Sequence, residues 1–169
     1  LMPHTAMLRS LVGSEMCIRD SNAVDVPVVA NGDITDAKSA RLCLEQTNAS
    51  GLMIGRAAIG RPDVFAQIKV GLGWMEKEEL PWVSQYEGEW DTLSETSQAF
   101  ASRRWCWDRY ITLCRETTGL AKQTMQRHAI AFSKGLPGAK SVRTLMHELT
   151  DVNESAQAIS EFLKPISEG

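Results

Sequence analysis

Between Val26 and Phe65 the spacing of apolar positions changes twice, and each change predicts a new element. Val26 to Ala30 is a short continuous apolar run with three valines; it predicts a strand buried on both faces, stopping at Asn31-Gly32-Asp33. Thr35 or Asp36 can cap a helix whose inner stripe is Ala37, Ala40 and Leu44. Gly51 opens a second strand, Leu52-Met53-Ile54, which ends at Gly55-Arg56, and a further helix is predicted to begin near Pro62, because proline suits a first helical turn.

From Leu93 the period is helical throughout. Ser94 is a suitable N-cap, and Phe100, Trp107, Ile111 and Cys114 recur along one helix face before Gly119 interrupts. A second helix carries Ala121, Met125, His128, Ala129 and Phe132 on one side, with Gly135 past its end and Leu136-Pro137-Gly138 as a turn. Val142, Leu145, Met146 and Leu149 form the stripe of a third. Asp151 with Glu154 starts a fourth, which buries Ala156, Ile159 and Phe162 or Leu163. Helices joined by such short links predict an antiparallel four-helix bundle. Between the two patterns, Leu72 to Asp91 loses periodicity and carries Gly73, Pro81 and Gly88. It is read as a connector pinned to its neighbours by Trp74, Trp82 and Trp90, with a partner-binding loop as the other reading. The expected divisions are therefore a non-native segment 1–21, an α/β part 22–71, an acidic connector 72–93 and an all-α part 94–169.

The α/β part carries the candidate chemistry. Two parallel strands, each ending in glycine at its carboxyl end, form half of a phosphate cradle, since glycine lets the backbone approach an anion and the following amides point toward it. In a (β/α)8 barrel such a pair follows strands seven and eight, where phosphate groups bind. The plainer reading is a βαβ unit whose glycines only close tight turns.

Charge and cysteine content narrow the rest. The formal net charge of −3 conceals an asymmetry: residues 72–93 hold one basic against six acidic side chains, and residues 94–149 hold nine basic against four acidic. The basic excess falls in the helical part, as a polyanion-binding face would place it, although a solvated helix face leaves the same signal. Cys43, Cys106 and Cys114 form no CxxC pair and, with His128 and His147, no zinc spacing, so they read as reduced thiols on helix faces of a cytosolic protein with no metal. No apolar run reaches the length of a membrane span.

The first 21 residues read differently. Glu15-Met16-Cys17-Ile18-Arg19-Asp20-Ser21 is what the mosaic end of a transposon used in sequencing libraries would encode in frame. The segment lacks the continuous apolar core of a signal peptide, and Glu15 and Asp20 fit an organellar transit peptide poorly. It is expected not to belong to the fold.

The pattern VPVVANGDI followed by GLMIGRAAIGRPDVF resembles the FMN-phosphate end of the tRNA-dihydrouridine synthases. The resemblance implies that Asn31, Gly32, Asp33, Gly55 and Arg56 bind the flavin. Arg127-His128, Phe132, Lys134-Gly135-Leu136-Pro137-Gly138-Ala139 and Arg143 resemble the carboxy-terminal signature of the same family, with Gln126 in place of a basic residue and Phe132 in place of the common tyrosine. In that family the helical domain holds tRNA. Lys122, Arg127, His128, Lys134, Lys140 and Arg143 are the candidate RNA contacts, because long cationic side chains position RNA through its phosphates. His128 reads equally as a buried hydrogen-bonding residue on an apolar helix face. Trp105, Trp107 and Tyr110 could stack bases, although Trp107 lies on the apolar stripe.

The resemblance covers about residues 24 to 163. It implies the carboxy-terminal part of a (β/α)8 TIM barrel followed by a helical tRNA-binding domain, from an enzyme that reduces the C5=C6 bond of tRNA uridine with FMN and NADPH. The cysteine loop that protonates C5 and the lysine near the flavin ring match no stretch of this chain. These residues alone are therefore expected to be inactive, and their uncovered strands to favour aggregation. Two alternatives stay open: another FMN barrel oxidoreductase, such as a dihydroorotate-dehydrogenase-like enzyme, and a non-catalytic RNA-binding helical module.

Overall fold

The structure, a computed structural model, describes residues 23–86 and 89–165. The segment 1–21 lies outside the described residues. Two short strands, β1 (Val29–Asn31) and β2 (Gly51–Met53), run parallel in the register Val29 with Gly51, Ala30 with Leu52 and Asn31 with Met53. The helix α1 (Ala37–Thr47) makes the crossover between them. Pro27 offers no N–H and β2 offers three partners, so pairing begins at Val29 and not at Val26; the Ser50 amide to the Val28 carbonyl, at 2.9 Å, closes the pair on that side.

Asp36, not Thr35, caps α1. Its carboxylate accepts from the Ser39 amide at 2.8 Å while the Ser39 hydroxyl accepts from the Asp36 amide, a reciprocal box. These bonds hold the Asp36 carboxyl below its ordinary range. The inner stripe of α1 is turned from the predicted one: Ala40 and Thr47 are fully buried, whereas Ala37 and Leu44 are half-buried. Thr47 tolerates burial because its hydroxyl donates to the Cys43 carbonyl at 2.7 Å.

The helix predicted to begin near Pro62 starts at Val64, and a short helix that the sequence did not predict precedes it. A single turn, α2 (Arg56–Gly60), starts directly after Gly55; Arg61-Pro62-Asp63 breaks it, and α3 (Val64–Gly71) follows. Gly71 must be glycine, since a Cβ there would stand 2.2 Å from that of Ala37. Ile34, Ala40, Val64 and Ile68 form the core of this part, with Cys43, Leu52, Ile54, Ala58 and Leu72 against it.

That core covers one face of the strand pair only. Ala30 is fully buried, but Val29 is 59% exposed, Met53 56% and Val26 67%. The expectation of a strand buried on both faces is therefore corrected: alternation sends Ala30 to the helices and Val29 to solvent.

The described chain divides into two compact units, one running to Ala58 and resuming at Val64–Met75, the other comprising Ile59–Asp63 and the chain from Glu76 onward. In the second unit the connector is wound into 3-10 turns at Lys77–Glu79, Val83–Tyr86 and Glu89–Thr92. Trp82 and Trp90 are buried and pin it as expected, but Trp74 is 62% exposed and pins nothing. Four helices follow: α4 (Glu95–Glu116), α5 (Lys122–Ser133), α6 (Ala139–Glu148) and α7 (Val152–Phe162). Helix α7 packs on α4, α5 and α6, and α5 packs on α6. Ser94 and Asp151 cap α4 and α7 through side-chain oxygens, and Gly119, Gly135 and Gly138 turn the chain with positive φ. The buried interior includes Phe100, Trp107, Ile111, Met125, Ala129, Phe132, Val142, Met146, Ile159 and Leu163; Leu163, not Phe162, fills the last predicted position, and Ala121 is exposed.

Candidate flavin-phosphate turns and nucleic-acid face

Parallel pairing sets the first candidate site. Because Asn31 lies opposite Met53, the turns that follow each strand, Asn31-Gly32-Asp33 and Ile54-Gly55-Arg56, leave the sheet at the same end. Arg56 Nη2 donates to Asp33 Oδ1 at 2.5 Å and joins them. Among the described residues nothing lies within 4 Å of a Cβ built on Gly32 or Gly55, which leaves both glycine backbones room for an incoming group. Asp33 has φ of +40°, a left-handed conformation that aspartate tolerates better than most residues. The five predicted residues are thus brought together, all exposed, with one cation and one carboxylate facing each other. An open glycine backbone and a guanidinium suit a phosphate; the Asp33 carboxylate opposes one unless Arg56 neutralises it.

The second candidate site is on the helices. Lys122 is the first residue of α5 and Lys134 caps its end; Lys140 and Arg143 lie on α6; Lys122, Arg127, Lys134, Lys140 and Arg143 are all exposed. His128 is half-buried against Tyr110, with ring centroids 4.9 Å apart and planes 31° apart. Burial, then a hydrogen bond with the Cys114 thiol, pushes the Tyr110 hydroxyl up to about 12, so it stays protonated at neutral pH. Trp107 is fully buried, and its indole N–H donates to the Ala156 carbonyl at 3.1 Å, which removes it from the base-stacking candidates. Phe132 sits in the same ring cluster, 5.3 Å from Trp107 and 6.2 Å from Tyr110, where a tyrosine hydroxyl would need a buried partner. Gln126 donates to the Met146 carbonyl at 2.5 Å and ties α5 to α6.

Sequence spacing did not reveal the polar group beneath this face. Arg103 is buried on α4, and its Nη1 donates to the carbonyls of Phe132 at 3.0 Å and Lys134 at 2.7 Å, closing the end of α5. Asp63, buried in the same unit, accepts from the Ser102 hydroxyl at 3.1 Å. Burial raises the Asp63 carboxyl above its ordinary range, against the opposing pull of Arg61, the Ser102 hydroxyl and Arg103. Burial also pushes the neighbouring Cys106 thiol up to about 12, so it is not a nucleophile. The only signal in the sequence was an arginine on the apolar side of α4.

Comparison with known proteins decides the family. A model of the dihydrouridine synthases matches residues 17–167. The chain belongs to the tRNA-dihydrouridine synthase family. This is an oxidoreductase family of TIM barrels, and the described elements, mostly helical with one parallel strand pair, agree with part of such a barrel. The chain is 49% identical over 80 residues to a probable tRNA-dihydrouridine synthase of Rhodobacter capsulatus, an alignment covering 47% of this chain and 24% of that one. It is 32% identical over 140 residues to a probable tRNA-dihydrouridine synthase of Rickettsia bellii, covering 83% and 38%. To tRNA-dihydrouridine synthase B of Pseudomonas syringae pv. tomato it is 31% identical over 140 residues, covering 83% and 37%. The chain therefore spans less than two fifths of the length of these relatives. Among the described residues no helix is long and apolar enough to cross a membrane, and no group of three His, Cys, Asp or Glu side chains could hold a metal.

Proposed function

We propose that this chain is the carboxy-terminal portion of an FMN-dependent tRNA-dihydrouridine synthase, a cytoplasmic enzyme that saturates the C5=C6 bond of tRNA uridines. The observation that carries the reading is the Asp33–Arg56 pair, which joins two open glycine turns at one end of a parallel strand pair. FMN, when bound, supplies hydride chemistry, and NADPH is the reductant that restores it. Toward that group the chain contributes the grip on the phosphate: the Gly32 and Gly55 backbones leave room, Arg56 offers charge, and Asn31 and Asp33 border the turn. Helices α4 to α7 form the four-helix tRNA-holding domain, with Lys122, Arg127, His128, Lys134, Lys140 and Arg143 toward the phosphates. The acid that protonates C5 has no counterpart here, so the 169 residues alone form no dihydrouridine.

Two features favour this reading over the alternatives. A dihydroorotate-dehydrogenase-like barrel gives no reason for basic helices after the phosphate turns. A stand-alone RNA-binding module gives none for the paired glycine turns. The test is a chimera in which residues 22–165 replace the matching segment of the Pseudomonas syringae relative. Dihydrouridine in tRNA from cells lacking the native enzyme is the expected result, and its loss on Arg56→Ala ties activity to the turn. A folded chimera that forms none would sink the proposal.

A further inference from the structure

The outer side of α4 borders a cavity of about 430 Å³ that no role above uses. Its volume lies in the range of small-ligand sites. Tyr86 and Trp105 line it, and each ring is braced by a buried tryptophan: Trp105 edge-on to Trp82 at 5.9 Å, Tyr86 edge-on to Trp90 at 5.5 Å. The connector thus contributes one wall and α4 the other, and both aromatic rings are held before anything enters.

Charge in the cavity favours an anion. Among the described lining residues Asp108 is the one carboxylate, and both oxygens are engaged: Oδ1 accepts from the Ser160 hydroxyl at 2.7 Å and Oδ2 from Arg104 Nε at 2.9 Å. Arg104 also lies near Glu161, whose carboxyl is held below its ordinary range by Lys164 first and by Arg104 after it, so the cation left to a ligand is Arg109. Arg109, one turn along, is exposed and has no carboxylate partner among the described residues. Fixed aromatic rings beside a free guanidinium recognise a flat ring that carries phosphate.

We propose that this cavity binds a single unstacked nucleotide, its base against Trp105 and its phosphate toward Arg109. The inference rests on the RNA-binding reading of the helices and adds a specific subsite to it. The same chemistry is presented by a nucleotide within an RNA strand or by a free one.

The experiment uses the whole chain labelled with 5-fluorotryptophan, the Trp105 fluorine resonance being identified by its disappearance in Trp105→Phe. Uridine monophosphate, hexauridylate and unmodified tRNA are titrated separately. The Trp105 resonance is expected to move with hexauridylate and tRNA; a shift with the mononucleotide alone would assign the cavity to free nucleotides. Arg109→Glu, at an exposed helix position, is expected to weaken tRNA binding about tenfold and lower the salt slope by about one, with an unchanged circular dichroism melt as the check on folding. If tRNA binds, is released by the Lys140→Glu/Arg143→Glu double variant, and yet leaves Trp105 unmoved, the cavity proposal is wrong and the helical RNA face survives. If tRNA, hexauridylate and uridine monophosphate all fail to bind, both readings fall. A response to a phosphotyrosine peptide with none to any nucleotide would also overturn it.

Discussion

Arg56 reaches back 23 residues in sequence to donate to Asp33, Nη2 to Oδ1 at 2.5 Å, across the carboxyl ends of two parallel strands. Both side chains are more than four-fifths exposed, so the pair adds little to stability: about 0–1 kcal/mol is usual for such contacts. Its consequence is electrostatic, because the one cation of the two turns is already shared with a carboxylate.

Asp33→Asn releases Arg56 while keeping a side chain that accepts positive φ. FMN is expected to bind severalfold more tightly at low salt, with the gain fading as salt screens the turn. Arg56→Ala is expected to weaken FMN at least tenfold. Titration calorimetry at two ionic strengths separates the outcomes; unchanged affinity in both variants would remove these residues from the phosphate grip.

The Asp36 cap makes α1 pH-sensitive. Its carboxyl lies below the ordinary value of 3.8 in the folded chain, so its contribution is complete above that value and is lost as pH falls through the lowered one. Asp36→Ala is expected to destabilise the first unit by about 1 kcal/mol at neutral pH. The variant and parent should converge in acid, which thermal melts followed by circular dichroism between pH 2 and 7 can check.

Asp63 should act with the opposite sign. Its folded value is raised, so the folded chain holds a proton more firmly than the unfolded one, and stability falls as pH rises from 3.8 toward that raised value. Asp63→Asn keeps an acceptor for Ser102 and is expected to flatten this part of the profile. An unchanged slope in urea melts would show that the Asp63 carboxylate is ionised in the fold.

Arg103→Met removes two charge-assisted bonds to the end of α5 and is expected to destabilise the second unit by roughly 3 kcal/mol. Lysine should rescue little, since one ammonium replaces a planar fork. Denaturant unfolding of Arg103→Met and Arg103→Lys reads this directly.

Gly60→Ala is expected to be among the most damaging single-methyl changes, since the new Cβ would lie 2.3 Å from the Ala131 carbonyl oxygen. Gly55→Ala meets open space and should leave the melting temperature unchanged. Equal melting of the two would contradict the close packing at Gly60.

Some of this was legible along the chain because it depends on neighbours in sequence. Ser94 and Asp151 could be named as caps, and Gly135 and Gly138 as turns, since capping and positive φ are settled within a few residues. The apolar period locates the helices after Leu93, and two motifs carry the family resemblance without any tertiary contact. What the sequence could not rank was alternatives that differ only in long-range company. Trp74, Trp82 and Trp90 look alike in an acidic stretch, yet only the latter two find a core. Val29 and Ala30 are adjacent in one apolar run, and only pairing with β2 under a single helical layer sends one inward and the other to solvent. The Asp33–Arg56 pair, the arginine that closes α5 and the cavity beside Trp105 each join residues from separate elements. Only tertiary structure decided them, because burial and charge pairing depend on what the folded chain brings within a few ångströms.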